Sequence, residues 1–309
     1  MGKIEPKVTV CVMTYNQENY IRQCLQSIVD QDTDFSFEVI VSDDCSTDNT
    51  PKIIQEFAEQ YPSIVKPIFH KKNLGPYRNY IYLHQQATGE YVANVDGDDF
   101  TYQGKLAAQV DILTNNEAIS ICGHLVDRVN KDGDLIFASH QFHSIRFTEF
   151  TLEDAIVKGA LFAHSSYMYK RSAASFDSFL NKEIVDYYTL TDIMLAGDAV
   201  CINSALGAYR VHSECSSLNS EHKISLFYLD AYVNILDKAP KHGPLLLDAA
   251  IVNSLSIIRH KKVIPRQLVE ILWRVRCLPS IKRIREIRKD RKQYHKQIVA
   301  SFNTISVIK

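Results

Sequence analysis

The stretch Gly89-Glu90-Tyr91-Val92-Ala93-Asn94-Val95-Asp96-Gly97-Asp98-Asp99 passes from an apolar run directly into a cluster of acids. Its run 91–95 is short and largely apolar, as in a buried strand, and the acids follow where that strand ends. In a parallel sheet, ligands bind beyond the carboxyl ends of the strands. Crowded carboxylates are costly unless a cation neutralises them, and oxygen ligands suit Mg²⁺ or Mn²⁺. The tetrad 96–99 therefore indicates a divalent-cation site, with a solvated polar turn as the alternative.

Two other predicted strands also end in polar clusters. Ser42-Asp43-Asp44 follows the strand 37–41, and Met13-Thr14-Tyr15-Asn16 closes the strand 8–13. The carboxylates of the first cluster can accept hydrogen bonds from a base or a ribose, or can cap the next helix. The tyrosine of the second can stack on a base. Because parallel strands end at one edge of a sheet, the three clusters together predict a single ligand cleft.

Strand and helix signals alternate over the first hundred residues, which is typical of a mostly parallel sheet with helices on both faces. Helices are predicted between the strands over 18–31, 51–60 and 76–87, with further strands at 64–69 and 91–95. The middle of the chain is less regular, with predicted helices at 103–115 and 186–195, a hairpin around 131–133, and strands at 161–169 and 200–202. Later predicted helices cover about 222–237, 243–260, 265–276 and 280–299. The sequence thus predicts an α/β fold followed by a helical region.

Composition limits the class of protein. The chain has 309 residues, enough for one large domain and a smaller addition. It has no apolar run of about 18 residues and no apolar core of a signal peptide near its first residue, so a cytoplasmic location is expected. Its seven cysteines are odd in number, and none has C-x-x-C spacing, which argues against a disulfide framework or a zinc knuckle.

Positive charge is concentrated at the end of the chain. Residues 259–309 hold 15 Lys and Arg against 3 Asp and Glu, whereas residues 1–258 hold 20 against 33. The stretch 259–296 interleaves basic and apolar residues and includes Trp273, as amphipathic helices on anionic membranes do. Packing on the rest of the protein and nucleic-acid binding are the alternatives, and the latter has no RNA or DNA motif. We therefore expect peripheral membrane contact through 259–296 and no nucleic-acid partner.

Four stretches, 8–16, 39–50, 72–79 and 89–99, resemble in order and spacing the nucleotide-binding half of the family 2 glycosyltransferases. Among these, the chain is similar to bacterial enzymes of O-antigen and capsular polysaccharide synthesis. The resemblance covers about the first 220 residues. It implies a GT-A (Rossmann-like) catalytic domain over 1–220, with a nucleotide-sugar half at 1–99 and an acceptor half at 100–220. A basic helical region, 221–309, follows.

The resemblance implies a role for each matching residue. Residues that would contact the nucleotide sugar are Met13, Thr14, Tyr15, Glu18, Asp43, Asp44, Arg78, Asp96, Gly97 and Arg210. Residues that would hold Mn²⁺ or Mg²⁺ are Asp96, Asp98, Asp99 and His212, with Asp98 foremost. Asp44 would bond a base N–H, Arg78 would reach the diphosphate, and Arg210 would offset the charge of the leaving group. Met13 stands where the family usually has proline, and little effect is expected because the contacts there are largely backbone.

The resemblance also implies a catalytic base. Relatives carry Glu-Asp at the start of a helix, and here Asp186 is kept while Val185 replaces the glutamate, with Glu183 nearby as a possible substitute. A carboxylate must take the proton of the acceptor hydroxyl as it attacks the anomeric carbon. The alternative for Asp186 is a plain helix cap. His164 lies in the region that lines the acceptor side in relatives, so it is a candidate acceptor contact, or part of an ordinary polar loop.

These features predict an inverting, metal-dependent hexosyltransferase. It would move a sugar from a nucleotide sugar, with UDP-sugar the commonest donor, to a glycan or lipid-linked acceptor in surface polysaccharide synthesis. One alternative is a sugar nucleotidyltransferase, although the segment 13–17 is not the Gly-rich, basic loop of such enzymes. The other is a degenerate sugar-nucleotide-binding protein, which the Val185 replacement would favour.

Overall fold

The computed structural model describes residues 5–139, 147–176, 186–212, 221–261 and 263–303. Its strands are β1 Val8–Thr14, β2 Phe37–Asp43, β3 Val65–Phe69, β4 Tyr91–Asp96, β5 Phe100–Thr101, β6 Ile119–Val129, β7 Leu135–Phe137, β8 Phe147–Phe150, β9 Met168–Lys170 and β10 Asp198–Arg210. Its helices are α1 Ile21–Val29, α2 Thr50–Gln60, α3 Pro76–Gln85, α4 Lys105–Asn115, α5 Leu152–Lys158, α6 Asp186–Ile193, α7 Glu221–Lys238, α8 Gly243–Lys261, α9 Arg266–Val275 and α10 Ile281–Asn303.

The strands form one sheet in the order β3-β2-β1-β4-β9-β6-β10-β5, with β7 beside β6 and β8 beside β10. The pairs β3–β2, β2–β1 and β1–β4 are parallel, whereas β4–β9, β9–β6 and β10–β5 are antiparallel. The register places Met13 opposite both Ser42 and Asp96. Three strands therefore end side by side, so the three polar clusters of the sequence meet at one edge.

Apolar side chains on one face of β1 share a core cluster with α1 in the parallel part of the sheet. Val8, Val10 and Val12 are fully buried, and so are Leu25 and Ile28 of α1. Fully burying a side chain of this size contributes about 1.5–3 kcal/mol. The helix α2 begins at Thr50 with a proline in its first turn, where the missing N–H breaks no helical hydrogen bond. This part of the chain therefore forms a rigid base for the strand ends.

The predicted elements of the first hundred residues are confirmed, with α1 beginning three residues later than expected. The predicted strand at 161–169 is wrong for most of its length. The backbone N–H of Ser166 bonds to the carbonyl of Ala163, closing a 3₁₀ turn over His164–Ser166, and β9 begins only at Met168. The strand near 200–202 is real but runs on to Arg210. The helix α5 was not predicted, although Thr151 and Asp154 cap it reciprocally.

The chain divides into two compact units. The first comprises Met1–Glu149, Phe162–Glu183 and Ala199–His212, and the second comprises Phe150–Leu161, Ile184–Asp198 and Ser213–Lys309. The first contains nearly all of the sheet and the second contains the helices α5 to α10. The predicted domain boundary at residue 220 stays a prediction.

A buried histidine in the first unit makes folding sensitive to acid. The Nδ1–H of His124, in β6, donates to the carbonyl of Leu125 at 2.7 Å. Burial and the nearby charge of Lys105 lower the pKa of His124 to about 3. In the unfolded chain the pKa of histidine is about 6.5, so between these values only the unfolded state gains the proton. Acid therefore weakens folding through this residue.

We expect the free energy of unfolding to fall by up to about 1.4 kcal/mol per pH unit through His124 as the pH drops from 6.5. The variant His124→Asn keeps an N–H for the Leu125 carbonyl but does not titrate. Urea unfolding of both proteins between about pH 7.5 and about pH 4.5 measures the effect, because this range spans the pKa of about 6.5 of histidine in the unfolded chain. The two stability curves should converge as the pH falls, and parallel curves would show that His124 is not the residue responsible.

Candidate active site

The end of β1 holds the chain segments that follow β2 and β4. The backbone carbonyl of Met13 accepts a hydrogen bond from the N–H of Gly97 at 3.0 Å. The carbonyl of Thr14 accepts one from the N–H of Asp44, also at 3.0 Å. A Cβ at Gly97 would lie 2.9 Å from that of Thr14 and closer still to the side chain of Gln17, so only glycine fits. Thr14 Oγ1 and Gln17 Oε1 are buried without a hydrogen-bond partner among the described residues. Both oxygens therefore have unused hydrogen-bonding capacity beside Gly97.

The loops after β1 and β2 lock together. The backbone N–H of Asn16 donates to Ser46 Oγ at 2.8 Å, and the side-chain oxygen of Asn16 accepts from the N–H of Thr47. Asn16 has a φ of 52°, in the left-handed region that asparagine tolerates better than most residues. The carboxylate of Glu18 accepts a hydrogen bond from the backbone N–H of Asn49 at 2.9 Å, so it already has a partner within the protein. The adjacent Tyr15 is 46% exposed, so its ring is available for stacking.

Asp44 positions the loop that leads into α3. Its carboxylate accepts the backbone N–H groups of Leu74 at 2.7 Å and Gly75 at 2.9 Å, and the side chain is buried. Asp43 beside it accepts both the N–H and the hydroxyl of Ser46, while burial raises its pKa. Arg78 is exposed on the first turn of α3. Asp44 thus orders the segment that carries Arg78, and its predicted bond to a base stays a prediction.

Each acid of the tetrad has its own partner. Asp96 Oδ1 lies 2.9 Å from His164 Nδ1, so the structure places this histidine against an acid of the cluster. Asp99 Oδ1 accepts the backbone N–H of Arg210 at 2.8 Å. Asp98 Oδ2 lies 2.9 Å from His212 Nε2. His212 therefore lies beside Asp98, and its predicted part in holding a metal ion stays a prediction.

A serine joins two of these acids. Ser165 Oγ lies 3.2 Å from Asp96 Oδ2 and 2.5 Å from Asp99 Oδ2, and it also accepts the backbone N–H of Asp96. Asp99 is therefore held by the protein on both of its oxygens. Nothing in the sequence pattern around Ser165 singled it out.

The tetrad carries negative charge that its surroundings only partly neutralise. Burial raises the pKa of Asp98, and the charge of Asp96 raises it further. Burial, followed by repulsion from Asp98 and Asp96, holds the pKa of Asp99 well above its usual value. Burial also acts to raise the pKa of Asp96, but attraction to His164 and hydrogen bonds from His164 and Ser165 outweigh it, so that pKa is lowered. A bound cation would relieve this repulsion.

A complete metal cage is absent from the described residues, in which no three His, Cys, Asp or Glu side chains group as metal ligands. The donors that fit a divalent cation are the carboxylate of Asp98 and the imidazole of His212. Mg²⁺ is commonly held by one or two carboxylates together with substrate phosphates rather than by protein alone. The donor set therefore fits an ion shared with a diphosphate better than an ion held by the protein alone.

Arg210 is built into the protein beneath the tetrad. Its guanidinium donates to the carbonyl of Asp98 at 2.7 Å, to that of Lys131 at 2.9 Å and to Gln23 Oε1 at 2.6 Å. The side chain is buried, and its Cζ lies 4.9 Å from the ring centre of Tyr20. These contacts connect the tetrad to α1 and to the loop after β6. Its predicted action on the leaving group stays a prediction.

Substitutions of Arg210 test whether the charge or the planar guanidinium of this side chain stabilises the protein. Arg210→Met should lower the free energy of unfolding by about 3 kcal/mol, because several carbonyl groups lose a buried donor. Arg210→Lys keeps the charge but cannot reproduce the planar fork, so it should be nearly as unstable. Urea unfolding measures both. If Arg210→Lys has wild-type stability and activity while Arg210→Met has neither, charge and not the fork is what matters.

A buried lysine supports the same site and was missed in the sequence. Lys105 is 0% exposed, and its Nζ donates to the carbonyls of Ser165 at 2.7 Å and Asn94 at 3.2 Å. Burial lowers its pKa to about 7, while the nearby acids act in the opposite direction. The buried face of α4 is otherwise mostly apolar and also includes Gln109. The signal that the sequence offered for this residue was a pair of polar residues, Lys105 and Gln109, at core positions of one helix.

Asp186 lies in the second unit, where it is the first residue of α6 and is exposed. The next residue, Tyr187, is buried and stacks on Tyr228 within the same unit. The role of Asp186 as a base stays a prediction. Val185 and Glu183, on which the question of the missing glutamate depends, lie outside the described residues.

Comparison with other proteins relates the chain to sugar-transferring enzymes. An uncharacterized protein of Mycobacterium tuberculosis is 31% identical over 207 residues, which is 67% of this chain and 59% of that protein. EpsE of Bacillus subtilis, which is named as a glycosyltransferase, is 32% identical over 171 residues. The match covers 54% of this chain and 58% of EpsE. The chain thus spans somewhat under two thirds of each of these relatives.

Solved structures share the fold. S. aureus TarS 1-349, in complex with UDP-GlcNAc, superposes with a TM-score of 0.65 at 21% identity, covering 96% of this chain and 92% of that one. The mannosyltransferase PcManGT of Pyrobaculum calidifontis, in complex with GDP-Man and Mn²⁺, gives a TM-score of 0.58 at 19% identity, covering 99% and 87%. The model of the family described as glycosyl transferase family 2 matches residues 9–175. The chain therefore has the GT-A fold and belongs to glycosyl transferase family 2.

Proposed function

We propose that this protein is an inverting glycosyltransferase that moves a sugar from a nucleotide sugar to a hydroxyl group of a glycan or lipid-linked acceptor. The observation that carries the proposal is the register of β1, which places Met13 opposite both Ser42 and Asp96. That register brings an exposed tyrosine, two buried aspartates and the acidic tetrad to one edge of the sheet. A nucleotide offers a base, a ribose and a diphosphate, and these match the three clusters.

The donor would lie along this edge. Tyr15 would stack on the base, Asp44 would accept a base N–H, and Arg78 would contact the diphosphate. The unpartnered oxygens of Thr14 and Gln17, next to Gly97, suit a hydroxyl donor such as a ribose. These assignments follow the family resemblance and are supported by the interlocked loops that hold the residues in place.

Asp98 and His212 would hold Mn²⁺ or Mg²⁺ together with the diphosphate oxygens. When bound, the ion would supply positive charge to the departing nucleoside diphosphate. The carboxylates of Asp96 and Asp99 already have partners in Ser165, His164 and the Arg210 backbone, so their proposed part is to fix the geometry of Asp98. The mannosyltransferase PcManGT, whose structure contains Mn²⁺, supports this assignment.

Asp186 would act as the base. As the acceptor oxygen forms its bond to the anomeric carbon, its proton passes to the Asp186 carboxylate. The bond from the anomeric carbon to the diphosphate oxygen breaks in the same step, and its electron pair leaves with the diphosphate. One displacement of this kind inverts the configuration of the sugar.

UDP-sugar is the proposed donor, and surface polysaccharide synthesis, such as that of O-antigen or capsule, is the proposed setting. TarS with UDP-GlcNAc and the mannosyltransferase with GDP-Man support a nucleotide-sugar donor without choosing its base. The described helices include none long and apolar enough to cross a membrane. We propose that a lipid-linked acceptor is met by peripheral contact at the cytoplasmic face, through the region 259–296, where basic and apolar residues are interleaved.

A thermal-shift screen with UDP, GDP and dTDP, each with and without Mn²⁺, tests the donor site. A ligand at about 100 times its dissociation constant adds roughly 2.7 kcal/mol to the stability of the folded protein. We expect UDP to raise the melting temperature, and to do so more strongly with Mn²⁺. A stronger effect of GDP or dTDP would change the donor but keep the mechanism. If no nucleotide has an effect, the proposed donor site is wrong.

A further inference from the structure

The helix α9 has two apolar faces, and only one of them is used in the fold. Leu268, Ile271 and Val275 recur at helical spacing, and the first two are buried. Val275 packs beside Gly243 of α8, where a Cβ would lie 3.2 Å from its methyl group. These contacts anchor the helix within the second unit.

A neighbouring side of α9 is an exposed apolar stripe. Val269, Leu272 and Trp273 are 53%, 42% and 71% exposed and fall on one side of the helix. Arg266 and Arg276 stand at the two ends of the same side, and the Arg276 guanidinium lies 5.8 Å from the Trp273 ring centre. We call these five residues the apolar stripe. Nothing about the fold of the described residues requires side chains of this kind to face outward.

Further apolar residues extend this surface along the chain. Val263 and Ile264 precede the helix and are 59% and 60% exposed. Leu278 and Ile281, between α9 and the start of α10, are 92% and 68% exposed. An exposed cluster of this size, confined to about twenty residues of one unit, is typical of a binding surface.

The helix α10 contributes positive charge. Arg285, Arg288, Lys289 and Lys292 recur on one side of it, in line with Ile281, and all are exposed. We call these four the basic stripe. None of the four makes an ion pair with another of the residues that the structure describes. The acids Glu286 and Asp290 lie on a different side of the helix.

Other basic residues of the region serve the fold instead. Arg274 pairs with Asp237 at 2.6 Å, and Arg283 with Asp248 at 3.4 Å. Arg291 donates to the carbonyl of Val157 at 2.8 Å. The structure therefore narrows the predicted contact region 259–296 to a smaller set of side chains.

We propose that the apolar stripe inserts into the headgroup region of an anionic bilayer while the basic stripe binds lipid phosphates. Charge complementarity selects this occupant, because arginines flank the exposed apolar side chains of α9, the four cations of α10 follow the exposed Ile281 along one helix face, and no acid lies in either stripe. A second protein copy would bring the same positive charges together. A soluble polyanion would leave the apolar side chains without a role.

The proposal does not depend on the transferase activity, since both stripes lie in the second unit and contain no donor-site residue. Trp273 is the only tryptophan in the chain, so its fluorescence reports directly on this surface. The experiment titrates the full chain with phosphatidylcholine vesicles, with and without phosphatidylglycerol, and repeats this with lipids brominated on the acyl chain. We expect a blue shift and bromine quenching with the anionic vesicles only.

Matched variants separate the two stripes. Leu272→Ser should weaken vesicle binding about tenfold, whereas Leu255→Ser, at an equally exposed leucine of α8, should not. Arg288→Gln combined with Lys289→Gln should weaken it about thirtyfold. Lys52→Gln combined with Lys71→Gln, at exposed lysines of the first unit, is the charge control.

Two outcomes would overturn the proposal. Inorganic polyphosphate that binds as tightly as the vesicles, without a blue shift of Trp273, would assign the basic stripe to a soluble polyanion. A blue shift that appears without lipid, together with dimerisation in sedimentation velocity, would assign the apolar stripe to a second copy. Binding of the nucleotide in the thermal-shift screen stays the same in every case, so failure here is distinct from failure of the donor site.

Discussion

Asp98→Asn is expected to reduce sugar transfer about a thousandfold, equivalent to roughly 4 kcal/mol of lost transition-state stabilisation. The substitution removes the carboxylate charge that we propose to hold the metal ion, and it keeps the shape of the side chain. His212 lies 2.9 Å from this carboxylate and would lose its charged partner as well. Initial rates with UDP-sugar over a range of Mn²⁺ concentrations measure the effect.

The same variant should lose the metal-dependent part of nucleotide binding while remaining folded. Burial raises the pKa of Asp98, so replacing this carboxylate removes a buried charge and should not destabilise the protein. Asp132→Asn, on the exposed loop before β7, is the control for a lost acid elsewhere. Transfer within about threefold of wild type at saturating Mn²⁺, a change of less than about 1 kcal/mol, would remove Asp98 as the metal ligand.

Asp186→Asn is expected to lower kcat by about a hundredfold to ten thousandfold, the range found for a lost general base. The stability of the nucleotide complex should not change, because the donor-site residues lie in the first unit and Asp186 in the second. Transfer rates at saturating donor and acceptor measure kcat, and the thermal shift with UDP measures donor binding. Loss of both together would point to misfolding and not to a missing base.

A control for Asp186 comes from the same unit. Asp198→Asn replaces an exposed acid at the start of β10 and should leave kcat close to that of wild type. If Asp186→Asn transfers sugar normally, the base is another group. Glu183→Gln is then the next variant, since Glu183 is the acid nearest in sequence to the position where relatives have glutamate.

The main features of the donor edge could be predicted from the sequence because they depend on local patterns. Asp44 and Asp96 each follow a short apolar strand, and parallel strands place such residues together whatever the loops between them do. The register that sets Met13 opposite Asp96 then follows from burying the alternate apolar residues of β1. Local pattern and overall topology agree over this part of the chain.

The supports of the site could not be predicted because they come from distant segments. Ser165 reaches Asp99 across 66 positions in the chain, and Arg210 reaches Gln23 across 187. No periodicity links residues so far apart. The 3₁₀ turn that presents Ser165 lies where part of a strand was predicted. The apolar residues on either side of this turn, within 161–169, were equally compatible with either structure.

The basic region shows a similar limit. Its helices and their amphipathic pattern were evident, but a sequence cannot tell which apolar side faces the protein. Leu268 and Leu272 are one turn apart, and the first is buried while the second is exposed. Likewise Arg291 is taken up by backbone carbonyls, whereas Arg288 is exposed on the surface. Only tertiary contacts separate these roles.

The position of Arg210 has a consequence for how the protein can be divided and how it matures. The family match ends at residue 175, yet the tetrad is completed by Arg210 and His212, which come later in the chain. A fragment cut at the edge of the matched region would contain every acid of the tetrad, together with His164 and Ser165, but would lack the contacts that Arg210 and His212 make with Asp99 and Asp98. During synthesis, too, the nascent chain can form its sheet edge early but acquires a finished site only once β10 has emerged and closed over it.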